Sequence, residues 1–137
     1  MPWAYVWYAF LAEIVGTFIF VLFIVVACTS DTTFCSSTIQ VYVFIPTILM
    51  LAREYSYRSQ GLNPAFAIAF EFFYAANNNQ WYLFQYVWAT FFGPYVGSAL
   101  AVLFFEFFYR KFIIIYKKRK EEDQSYIKLQ EIKEPDA

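Results

Sequence analysis

Between Trp3 and Cys28 the chain carries one side chain of the Asp, Glu, Lys or Arg type, Glu13. At about 1.5 Å per helical residue, such a run more than crosses a hydrocarbon core of roughly 30 Å, so it predicts a membrane-spanning helix. A soluble domain of 137 residues could not hide a composition that is 61% hydrophobic and 25% aromatic against 15% charged. Lipid, or another membrane protein, must be the solvent for most of the chain. Glu13, a carboxyl inside a span, is a functional candidate by default, either as a proton carrier or as a hydrogen-bonded structural group.

The rest of the chain divides at its polar residues. Thr29 to Thr33 and Ser36-Ser37 break the first helix from an apolar stretch, Ile39 to Ala52, that carries Pro46. This second stretch spans only if its helix continues through Arg53 and Glu54, whose side chains can snorkel. Leu62 to Ala76 is too short to cross, opens on Asn63-Pro64 and ends in the loop Asn77-Asn78-Asn79-Gln80. Asn as N-cap with Pro in the first turn is good chemistry for starting a half-helix that enters the membrane and returns. Glu71, within that short helix, is expected to reach the interface or to pair with Arg53 or Arg58. Trp81 to Tyr116 is long enough to span and project, and Gly93, Gly97 and Ala101, at four-residue intervals, make a close-packing stripe.

The pattern thus predicts an all-α integral membrane fold with helices over about 3–28, 37–57, 63–76 and 81–116, the third re-entrant. A membrane domain of residues 1–116 precedes a charged tail, 117–137. Ten Lys and Arg nearly balance eleven Asp and Glu, yet six of the ten lie between Arg110 and Lys120. That run marks a membrane edge and places the C-terminus on the cytosolic or matrix-equivalent side, with the N-terminus opposite after three spans. Glu106 and Arg110 are spaced to pair. In the tail Tyr126, Leu129 and Ile132 fall at helical spacing, so the segment is either a solvated end or a short amphipathic helix that docks on a partner.

Several function classes drop out. The chain has no histidine, which removes the commonest general base, the Ser-His and Cys-His pairs and the usual zinc ligand. No enzymatic activity, metal site, cofactor or nucleic-acid partner is expected. Cys28 and Cys35 are expected as free thiols, with a disulfide in an oxidising compartment as the alternative. Met1-Pro2-Trp3 lacks a basic n-region, so the first helix is expected to serve as its own insertion signal. Most of the aromatic surplus is expected as lipid-facing bulk and as an interfacial belt including Trp3, Trp7 and Trp81.

Three signatures fall in order at residues 8 to 111. Leu11-Ala12-Glu13-Ile14-Val15-Gly16-Thr17-Phe18 leads to Ala27-Cys28-Thr29-Ser30-Asp31; Gly61-Leu62-Asn63-Pro64-Ala65 follows; Gly93-Pro94-Tyr95-Val96-Gly97 leads to Phe104-Phe105-Glu106. Together they resemble the second half of aquaporins, in the major intrinsic protein family. The resemblance implies a half-aquaporin-like bundle of three transmembrane helices and one re-entrant half-helix begun by Asn63, Pro64 and Ala65. It also implies that Glu13 accepts hydrogen bonds from the re-entrant loop's backbone. An Asn at a half-helix N-terminus presents an amide and a positive dipole end, which suits water and repels cations.

Against that family pattern, Phe66 stands where the family keeps a filter arginine, Leu51 at about its filter histidine, and Gln60 at about the filter position in the preceding loop. Phe66 there would tend to plug a narrow pore. The chain also supplies one half-helix where the resembling channels join two. It is therefore expected to be a non-conducting accessory or scaffold subunit of a larger membrane complex, a respiratory-chain assembly in the mitochondrial inner membrane being one candidate. The alternative is a half-channel that pairs with a second aquaporin-like half to pass water or small neutral solutes. The expected partners are the lipid bilayer and other membrane protein subunits.

Overall fold

The computed structural model describes residues 4–55 and 62–133. Helix α1, Ala4–Cys28, is followed by a short polar loop and by α2, Thr38–Tyr55. The short helix α3, Pro64–Asn78, precedes a 3-10 turn at Trp81–Tyr86 and α4, Val87–Phe104. A π-turn at Phe105–Tyr109 carries the chain without a break into α5, Arg110–Lys133. Among the described residues, α1 alone is both long and apolar enough by composition to cross a membrane unaided. Helix α2 continues through Arg53 and Glu54, and its 18 residues reach about 27 Å. The boundary expected between membrane domain and tail falls inside α5, which runs across it.

Helix α1 packs chiefly on α4 and, to a lesser extent, on α2, while α3 lies against α4. The α1–α4 seam is made of small residues. Gly93, Pro94, Gly97 and Ala101 are buried on α4, and the buried positions of α1 include Ala9, Glu13 and Thr17. A Cβ at Gly93 would stand 2.6 Å from the Cβ of Glu13, and one at Gly97 would stand 2.5 Å from the carbonyl oxygen of Ile14. Neither site has room for a methyl group, so the helices meet backbone to backbone, as glycine stripes permit in membranes. The stripe is therefore filled from within by α1. At Gly93 and Gly97 it is not an outward-facing surface available to another protein.

Above the seam, Val6, Ala9 and Ala89 are packed under Phe10 and Trp88. Trp7 meets Trp88 edge to face with ring centroids 5.4 Å apart. On α3 the buried residues Ala67, Glu71 and Ala75 recur every four positions. Glu71 is thus turned into the bundle; Arg58, one of its two expected partners, lies outside the described residues.

At the opposite end, the loop after α1 is tied to the last helix. Arg110 bridges Asp31 at 3.1 Å and Glu106 at 3.2 Å, and Lys117 Nζ donates to the backbone carbonyl of Asp31 at 2.6 Å. Much of the remaining surface is apolar and exposed, including Ile39, Val43, Met50, Phe73, Phe107 and Phe112. Such a surface is at home in lipid or against protein, not in water. Cys28 and Cys35 are free thiols.

Candidate functional site: the Asn63 cap and its concave face

Helix α3 begins where a sharp reversal of the chain is held by a buried carboxylate. Leu62 has φ 73°, a left-handed conformation that costs a side-chain-bearing residue roughly 1 kcal/mol or more. That turn aims its N–H at Glu13, whose Oε2 accepts it at 2.9 Å. Glu13 is fully buried, and the absent side chain at Gly93 is what lets α4 close over its Cβ. A buried N–H without an acceptor would cost about 1–3 kcal/mol, so the carboxylate offsets what the bend exposes. One turn further along α1, the buried hydroxyl of Thr17 has no hydrogen-bond partner among the described residues.

Asn63 then caps the helix. With φ −131° and ψ 103° it is extended, and its Oδ1 accepts from the N–H groups of Ala65 and Phe66 at 3.1 and 3.3 Å. Pro64 occupies the first helical position, where its missing N–H has no partner to lose. The first helical bond, from the Ala67 N–H to the Asn63 carbonyl, is 3.0 Å long. At the far end, Asn79 takes the left-handed conformation, with φ 51°, and closes the helix. Helix α3 has 15 residues, about 22 Å, and cannot cross a bilayer.

The N-terminus of α3 opens onto a concavity of about 380 Å³. Helix α1 contributes Phe20, α2 contributes Leu49 and Arg53, and the start of α3 contributes Leu62, Asn63, Pro64 and Phe66. Arg53 reaches across so that its guanidinium carbon lies 6.0 Å from the centroid of the Phe66 ring, the outer limit of a cation–π contact. Phe66 is 48% exposed. An amide, a guanidinium and the positive end of a helix on an otherwise apolar wall favour neutral dipoles or anions and repel cations.

Of the residues singled out in the sequence, Glu13, Asn63, Pro64 and Phe66 come together here. Ala65 takes part only through its N–H. Leu51 does not join them: it is 54% exposed, and Leu49 and Arg53, four residues apart and so on one helix face, line the concavity in its stead. Gln60 lies outside the described residues. Two participants were not singled out: Arg53 as a lining group, for which the Leu49/Arg53 spacing is the available signal, and Thr17.

No curated protein and no solved structure matches the chain. A family model described as "Major intrinsic protein" matches residues 2–105, a span containing α1 to α4 and the Asn63 cap. With its all-α bundle and that match over most of its length, the chain is a membrane protein that belongs to the major intrinsic protein family.

Proposed function

We propose that this channel-family chain works as a non-conducting subunit, packed through the concave face at Asn63 against other proteins of a larger membrane assembly. The observation that carries the proposal is the contact of Arg53 with Phe66 across that face. A file of water passing Asn63 would have to pass an aromatic ring and a guanidinium set against each other. The face also has irregular backbone at Leu62 and Asn63. In the hydrocarbon region such backbone is tolerated only against protein or a water-filled cavity.

The second reading, a half-channel completed by another aquaporin-like half, draws on the polar groups that remain in the lining, Asn63 and Arg53. A homodimer is disfavoured, because copies inserted in one orientation cannot form an inverted pair and the basic cluster at 110–120 opposes dual insertion.

Photocrosslinking in native membranes tests the proposal. A photoreactive phenylalanine at position 66 is expected to yield a discrete protein adduct that co-purifies stoichiometrically with the assembly, whereas the same probe at Phe107 labels lipid. An adduct at 66 with a second aquaporin-like half favours the half-channel. Lipid adducts alone at position 66 contradict both.

A further inference from the structure

We infer that the outer face of α4 and α5 is a binding site for an anionic phospholipid. One acyl chain lies in an apolar groove of the bundle, and the phosphate is held by Lys111 and Lys118. The groove, about 430 Å³, is formed by Phe18 of α1 with Leu100, Leu103, Phe104, Phe107 and Phe108. No charged side chain contributes to its walls. Directly beyond it, Lys111 Nζ sits 5.6 Å from the centroid of the Phe107 ring.

Lys118 is seven residues further along α5, which returns it to within about 20° of the same helix face and about 10.5 Å along the axis. Side chains on a helix lean toward its N-terminus. Both therefore lean the same way, with Lys111 lying back over Phe107, and the two ammonium groups meet one phosphate when the flexible Lys111 stem swings toward Lys118. Neither lysine belongs to the Asp31 clamp, which uses Arg110 and Lys117.

The depth is set independently. Large apolar side chains are exposed as far as Tyr116 and are next exposed at Tyr126. Asp31 of the α1–α2 loop meets this helix through both Arg110 and Lys117, so the edge takes in the roughly two turns between them. The apolar surface thus ends where Lys117, Lys118, Arg119 and Lys120 begin, at headgroup height. The acidic turn Glu121-Glu122-Asp123 follows on the water side. At this edge the six cations from Arg110 to Lys120 meet Asp31 and Glu106 within the bundle and Glu121, Glu122 and Asp123 within the next turn, which leaves one positive charge in excess. The excess positive charge calls for an anionic headgroup over a zwitterionic one.

Native mass spectrometry of the full chain in mild detergent, supplied with phosphatidylglycerol or phosphatidylcholine, reads the site. Phosphatidylglycerol is expected to be retained in preference. Retention should fall about tenfold or more in K111Q/K118Q, since each basic residue near an anionic surface contributes about fivefold or more. It should also fall in L100W, which fills the groove without touching charge at a surface position that tolerates bulk. Equal retention of the two lipids, or retention unchanged in K111Q/K118Q, overturns the inference. Loss in K111Q/K118Q but not in L100W shows a diffuse basic surface with no groove site, and also overturns it. Displacement of phosphatidylglycerol by inorganic phosphate assigns the lysines to a free anion and removes the lipid.

Discussion

Glu13 and Leu62, 49 residues apart in the chain, are joined by a hydrogen bond of 2.9 Å from the Leu62 N–H to the buried carboxylate. Through it α1 holds the turn from which α3 starts, and hence the position of Asn63 on the concave face. The acceptor is supplied by the residue that interrupts the apolar run of α1, which accounts for a carboxyl being kept in a span.

Removing that acceptor should loosen the turn. Glu13→Leu is expected to lower stability by about 1–3 kcal/mol, the cost of an orphaned buried N–H. Glu13→Gln, which keeps an acceptor oxygen, should retain most of it. Unfolding of the purified protein in mixed micelles gives the stabilities, and amide exchange at Leu62 should rise in the leucine variant well before the rest of α3 is affected.

Gly93→Ala and Gly97→Ala should each drive α1 and α4 apart, because the added methyl meets the Cβ of Glu13 or the carbonyl of Ile14 at about van der Waals overlap. Neither neighbour can swing away, so a cost of about 1–3 kcal/mol is expected for each, in the range of overpacked cores. Loss of the Trp7–Trp88 edge-to-face contact, 5.4 Å between centroids, should accompany it as a change in near-ultraviolet circular dichroism. Equal stability of the alanine variants and the parent would mean that the seam is looser than described.

Phe66→Arg restores the residue type that the resemblance leads one to expect, but here it would place a second guanidinium beside Arg53. Repulsion is expected to destabilise the variant by about 1 kcal/mol, from loss of the ring contact together with like charge. Arg53→Leu in the same chain should relieve much of that. A double-mutant cycle on unfolding free energy reads the coupling, and additive effects would show that Arg53 and Phe66 do not interact.

How far the sequence could be read depended on whether a feature was local. The span of α1 followed from an apolar run broken by Glu13 alone, and the start of α3 from Asn63-Pro64, whose capping is decided within four residues. Helix continuity through 117–133 was partly visible, since Lys, Arg, Glu and Gln favour helix and Tyr126, Leu129 and Ile132 keep its spacing. What could not be read was which surfaces meet. The spacing of Gly93 and Gly97 announces close packing but not that α1, rather than another protein, fills the gap. Arg53 reads as a snorkelling terminal residue until α3 brings Phe66 beneath it. Asp31 reads as one member of a polar loop until Arg110 and Lys117 arrive from nearly 80 residues or more downstream.

Osmotic water permeability of proteoliposomes separates a non-conducting member of the family from a working pore. Vesicles holding the purified chain, assayed by stopped-flow light scattering, are predicted to shrink at the same rate as protein-free vesicles of identical lipid. Shrinkage several-fold faster, abolished by Asn63→Leu, would contradict the account and make the concave face half of a working pore.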